Sequence, residues 1–244
     1  MRNTVVKYTL MVLVWSVADV AAIAQTYDGV FTTGVRVGAN HVSMTNLKQT
    51  FCADENQPTY ELHEKQYVTP TVSIIAQYRF PISLVAVEGN ISYCQTRSEI
   101  EKKTTRNTET YDIKLNHIML SAGAKVYPVK GAFAKATIGA GPCLNSSTCV
   151  KYDATGVTNA AKMQVEEHIS QTVKGRTLVR ADLALGYDFP MGLTVEAFYG
   201  KCLVDLLEVG INGYGFSEQR NDSQYIGMGV GWLITKNGFQ RRQQ

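Results

Sequence analysis

The feature that most restricts this chain is a chemical alternation of period two that runs through nearly all of it. In "RADLALGYDF", residues 180–189, Leu183, Leu185 and Tyr187 share one parity and Arg180, Asp182 and Gly186 the other. After a Pro190-Met191 break the alternation resumes, with Leu193, Val195, Ala197 and Tyr199 opposite Thr194 and Glu196. Such a period belongs to extended strands with two unlike faces. Eight segments carry it, near 29–44, 70–80, 82–97, 110–127, 132–146, 176–189, 192–206 and 223–235, rich in Val, Ile, Tyr and Thr. Three connections are tight: Phe80-Pro81, Pro128-Val129-Lys130-Gly131 and Pro190-Met191. The other four are long and polar. Short turns at one end and long loops at the other are the pattern of a barrel that enters a membrane from one side. The expected fold class is all-β, an eight-stranded antiparallel up-and-down transmembrane β-barrel. An even strand count lets the sheet close, and closure removes the edges that lipid would not tolerate.

Residue size and charge decide which face is inside. The polar parity holds isolated charges of both signs among many glycines, including Gly34, Gly139, Gly186 and Gly229. A solvated sheet would carry more long polar side chains. A narrow lumen has room for small residues and a few paired charges. The expected lumen charge network is Arg36, Arg79, Glu88, Lys135, Arg180, Asp182 and Glu196. The other parity is aliphatic in mid-strand (Val35, Val37, Ile74, Leu183, Leu185, Val195, Met228) and aromatic toward the strand ends. Phe31, Tyr78, Phe80, Tyr127, Tyr187, Phe189 and Trp232 at the short-turn end, with Tyr93, Tyr111 and Tyr199 toward the other, are expected to form interfacial girdles. In the fourth segment the apolar phase flips. Tyr111, Ile113 and Leu115 are odd-numbered, whereas Ile118, Leu120 and Val126 are even. The flip near Asn116-His117 reads as a β-bulge or a shift of register.

The rest of the sequence bounds function by exclusion. Arg2 and Lys7, an apolar run over about 8–18 and Ala22-Ile23-Ala24 read as a cleaved signal peptide, 1–24. A barrel domain then spans 25–235, with a short tail at 236–244. Net charge is +3 and the charges are scattered, which does not suggest nucleic acid. The five cysteines, Cys52, Cys94, Cys143, Cys149 and Cys202, fit no zinc spacing. Cys143 with Cys149, a pairing among Cys94, Cys143 and Cys202, or plain thiols all remain open. No catalytic set, cofactor or metal site is expected. His41 with Ser43 is the one local pair worth naming for lipid hydrolysis, and an ordinary strand-end position explains it more simply. The third long loop, about 150–174, holds a weak helical face (Ala160, Ala161, Met163, Val165, His168, Ile169) but reads better as a solvated loop.

Across almost the whole span after residue 24, the chain resembles the small bacterial outer-membrane β-barrels of the OmpX/OmpA type, closest to the PorT-like family. The resemblance is carried by "GVRVGANHV" (34–42), "YDIKLNHIMLSAGAKVYP" (111–128), "FAKATIGAGPCLN" (133–145), "RADLALGYDF" (180–189) and "YIGMGVGWLI" (225–234). Lys125 fits the family's fourth strand, whereas Met119 and Ser121 stand about where it often has Glu and Pro. The chain also runs past Trp232 instead of ending on an aromatic residue. The resemblance implies export to the outer membrane of a Gram-negative bacterium, outer-membrane lipids and the barrel-assembly machinery as partners, and a structural or surface-interaction role. Secretion components or extracellular ligands would meet the long loops. The rival readings are a soluble exported barrel around an apolar ligand, a lipid-modifying enzyme and a small pore.

Overall fold

The computed structural model describes residues 29–47, 50, 61–81, 84–103, 107–154, 156–210, 221 and 223–235. The signal segment, the tail and Cys52 lie outside the described residues. The strands are β1 (Val30–Met44), β2 (Glu61–Gln66), β3 (Val68–Arg79), β4 (Val85–Lys103), β5 (Asn107–Val126), β6 (Ala132–Gly141), β7 (Cys143–Ala154), β8 (Val173–Gly175), β9 (Leu178–Asp188), β10 (Leu193–Cys202), β11 (Leu207–Val209) and β12 (Ser223–Thr235). One helix, α1 (Asn159–Thr172), lies between β7 and β8. Eight strands close a ring in the order β1-β3-β4-β5-β6-β9-β10-β12, and β12 pairs back onto β1 from Ser223↔Met44 to Thr235↔Thr32. Every pairing is antiparallel. The barrel is therefore all-β, eight-stranded and up-and-down.

Parity sets the two surfaces. On β1, Val35 and Val37 face out and Arg36 is buried between them; on β9, Leu183 and Leu185 face out beside buried Ala184. Phe31 to Ala39 bound the apolar stretch of β1. At about 3.3 Å per residue and a tilt near 40°, that stretch is about 20 Å tall, close to the height of a lipid-facing band. The apolar side chains are thus outside and the charges inside. A soluble barrel around an apolar ligand would need the reverse.

Four expectations change. The phase of β5 does not flip: Tyr111, Ile113, Leu115, His117, Met119, Ser121 and Lys125 are odd-numbered, inward and buried. The irregularity near Asn116/His117 lies in the partner strand, where Asn116 pairs with Asn145 and His117 with Cys143, leaving Leu144 as the extra residue. Pro142, with no N–H to donate, separates β6 from β7 there. The second long loop is mostly strand, because β4 and β5 stay paired from Val85↔Val126 to Lys103↔Thr108. β2 and β7 flank this hairpin, so a four-stranded blade, β2-β4-β5-β7, rises beyond the ring. The third loop holds α1, whose N-cap Thr158 accepts a hydrogen bond from the Ala161 N–H and whose Ile169 is buried.

The girdle is also smaller than expected. Phe80, Tyr93, Tyr187, Phe189, Tyr199 and Trp232 are exposed and Phe31 is half-buried. Tyr111 and Tyr127 are buried because they follow the inward parity of β5. Tyr78 has outward parity but is covered by its edge-on contact with Phe80 and by the Gly29 backbone, which lies too close to its ring to carry a Cβ.

Candidate functional site

Among the described residues, the lumen gathers most of the buried charged side chains. Glu88 on β4 lies at its centre, fully withdrawn from solvent. It accepts hydrogen bonds from Arg36 of β1 at 3.3 Å and Lys135 of β6 at 3.0 Å, and Lys125 of β5 stands 3.4 Å away. Glu196 of β10 meets the same two cations, Arg36 at 2.9 Å and Lys135 at 2.7 Å. Lys125 continues the chain of contacts to Asp188 at 3.1 Å, and donates to Gln77 Oε1 at 2.9 Å. The Tyr127 hydroxyl donates to Asp188 at 2.7 Å and accepts from Gln77 Nε2 at 3.1 Å. Farther from the short turns, Arg180 and Asp182 form their own pair at 2.7 Å.

Four cations (Arg36, Lys125, Lys135, Arg180) thus face four carboxylates (Glu88, Asp182, Asp188, Glu196). Equal numbers matter because an unpaired charge in a dry interior is strongly destabilising. Small residues make the space. A Cβ at Gly229 would press on the Arg36 side chain, and one at Gly186 would strike the Phe133 ring. That ring in turn carries the Lys125 ammonium over its face at 3.9 Å.

Six of the seven charges singled out from sequence meet here. Arg79 does not: its guanidinium stacks on the Tyr127 ring at 4.3 Å near the end of β3. Lys125 and Asp188 were missed, although each has the inward parity of its strand, so the alternation alone could have found them.

Above the charges the interior turns dry. Ile100, Tyr111, Ile113, Leu115 and Val150 line the inside of the blade and the outer barrel wall. Ile169 of α1, with Val173, Leu206 and Leu207 from around the small β8–β11 sheet, packs against them as a lid. Between the two layers remains a cavity of about 40 Å³ lined by Arg36, Ser92, Lys135, Asp182 and Glu196 among others. That is room for two or three waters.

The other candidates stay apart. No hydrogen bond joins His41 to Ser43; the Ser43 hydroxyl accepts from Gln66 at 3.0 Å, and His41 faces outward. His117 is buried with Nε2 against the Arg176 carbonyl at 3.1 Å. Cys94, Cys143, Cys149 and Cys202 are all free thiols, so neither proposed pairing forms among the described residues. Among the described residues no three His, Cys, Asp or Glu side chains are placed to hold a metal.

No family model matches the sequence, and no curated protein does. Solved structures do show likeness of shape. Neisserial surface protein A aligns at 12% identity with a TM-score of 0.41, covering 83% of this chain and 96% of that one. Ail, the attachment invasion locus protein of Yersinia pestis, gives 11%, 0.41, 83% and 98%. The outer membrane protein AlkL, solved in DMPC bilayers, gives 12%, 0.44, 85% and 91%. At such identities and scores no property of these proteins transfers to this chain. The barrel's own construction is the stronger statement. A closed antiparallel ring of eight strands, with an apolar belt outside and paired charges inside, is built as an up-and-down transmembrane β-barrel.

Proposed function

We propose that this protein is a plugged, non-enzymatic barrel that anchors a rigid outer platform in the Gram-negative outer membrane. The short turns face the periplasm and the blade, α1 and the lid face outside. The single observation carrying this reading is the filling of the lumen among the described residues, by paired charges below and by an apolar cluster above. On this reading the filled interior keeps solutes from passing through the barrel. The platform then supplies a structural or surface-interaction role. The sequence likeness to PorT-like barrels favours an accessory part in protein secretion, with insertion by the barrel-assembly machinery. The girdle residues that remain exposed hold the barrel at its two interfaces. Planar-bilayer recording tests the plug: the reconstituted protein is expected to give no conductance steps, and a steady open level would overturn it. Incubation with lipid A tests the absence of enzymatic activity: mass change in the lipid that is lost with His41→Ala would replace this reading by a lipid-modifying enzyme.

A further inference from the structure

The short-turn rim carries an exposed aliphatic side chain or methionine at each of its three turns. Leu84, Val129 and Met191 are as open as the belt residues themselves, and each sits near a proline, Pro81, Pro128 or Pro190. Turns that face water are built mainly from Gly, Asn, Asp, Ser and Pro. Aliphatic tips on all three turns give the rim apolar surface that water does not favour.

Part of the rim's described backbone is already paired. The Tyr127 N–H donates to the Leu84 carbonyl and the Asp188 N–H to the Gly131 carbonyl, each at 2.7 Å. The Leu233 N–H donates to Gly192 at 2.7 Å, and Phe80, Phe189 and Gly192 donate within their own turns. Gly131 and Gly192 reach these positions with φ of 84° and 95°. The prolines have no N–H to satisfy. Each donor paired in this way is one fewer that must keep to water, and the headgroup boundary still hydrates the tips.

The rim is continuous with an established lipid surface. The edge-on pairs Tyr78–Phe80 and Tyr187–Phe189 run directly into the first and third turns. We infer that the rim is a lipid-contact surface in its own right: Leu84, Val129 and Met191 seat the short turns in the headgroup–acyl boundary of the leaflet they meet, instead of in the aqueous compartment. Lys130, exposed at the second tip, reaches past them toward the lipid phosphates. The barrel is thereby held low in the bilayer, and its outer platform stands at a fixed height.

Three methionines of equal exposure allow a test on the unaltered protein. Met163 on α1 is 68% exposed, Met228 in mid-belt 67% and Met191 on the rim 66%. Purified full chain, one copy per phosphatidylcholine nanodisc, is treated with a membrane-impermeant N-chloro oxidant, and sulfoxide at each methionine is followed by peptide mass spectrometry. Met163 is expected to oxidise about ten-fold or more faster than Met228, with Met191 staying within about three-fold of Met228. Met191 oxidising alongside Met163 overturns the inference while leaving the membrane barrel intact. Met228 oxidising alongside Met163 overturns the membrane barrel itself. One copy per disc removes self-association as a source of protection, and protection of Met191 that appears only when copies share a vesicle would assign the rim to a second copy and overturn the lipid assignment.

Discussion

Glu88 and Ile91 lie on the same strand as Glu99 and Ile100, and the two pairs have opposite fates. Glu88 is buried and Ile91 is exposed; twelve positions above Glu88, Ile100 is buried and Glu99 is half-exposed. The strand between them is unbroken, and even-numbered residues face inward throughout. Only the solvent changes. Around the lower half it is lipid, so aliphatic side chains belong outside and charges must be paired within. Around the upper half it is water, so the ordinary hydrophobic effect fills the interior with Ile100, Tyr111, Ile113 and Leu115. One barrel wall therefore encloses two cores of opposite chemistry. The outer faces differ to match. At the level of Arg97 the blade carries a bidentate ion pair with Asp112, at 2.9 and 3.0 Å, where the belt below exposes the Tyr93 ring and Ile118.

The sharpest way to break the comparison is to unbalance the lower core. Glu88→Ala leaves Arg36, Lys125 and Lys135 to share Glu196 and Asp188. The expected loss is about 3–5 kcal/mol of unfolding free energy, the cost of a buried charge without its partner. Urea titration in lipid vesicles, read by heat-modifiable gel migration, measures it. Glu88→Leu removes the carboxylate and fills its volume, yet is expected to lose a similar amount, because three cations remain. A change within 1 kcal/mol for both would mean that the lumen charges are solvated and not a core.

The same half can be tested from its lipid side. Leu185→Lys places a charge in mid-belt and is expected to cost about 2–4 kcal/mol in the same titration. Lys114→Leu, on the outer face of the blade opposite Arg97, makes the reverse change where water is the solvent, and is expected to stay within about 0.5 kcal/mol of zero. Equal costs at the two positions would erase the boundary between the halves.

That boundary also explains what the sequence made legible. Strand number, alternation and the sorting of short turns from long loops are local properties, and the ring follows from them. Inward charges were legible for Arg36, Glu88, Lys135, Arg180, Asp182 and Glu196 because one rule, apolar means outward, holds across the membrane. The rule reverses above it. By that rule Tyr111 belongs to the outward girdle, and with Ile113 and Leu115 it makes an unbroken strand look as if its phase flips. Nothing in single-strand periodicity marks where lipid ends; the pairing of β4 with β5 all the way to Lys103 does. Helix α1 was hidden for a related cause. It stands in water and buries Ile169 while Val165 is only partly covered, so its apolar face is thin.

The smallest effect separates the halves by how they treat backbone edges. Across the belt each strand has a neighbour on both sides. In the blade β7 pairs with β5 on one side and meets α1 on the other. Its free edge is covered by a side chain: the Tyr152 N–H donates to Glu166 Oε1 of α1 at 2.9 Å. A charged acceptor on an exposed edge is how soluble sheets avoid pairing with strangers. Glu166→Ala therefore frees one edge donor without touching either core. The expected loss is about 1 kcal/mol, confined to the outer half. Native-state hydrogen exchange should show the Tyr152 amide exchanging about five-fold faster, while amides of the ring, such as Leu185, do not change. Acceleration that spread into the ring would mean that the lid and the membrane barrel unfold as one unit. Acceleration limited to β7 and α1 leaves two cores that share a wall and open independently.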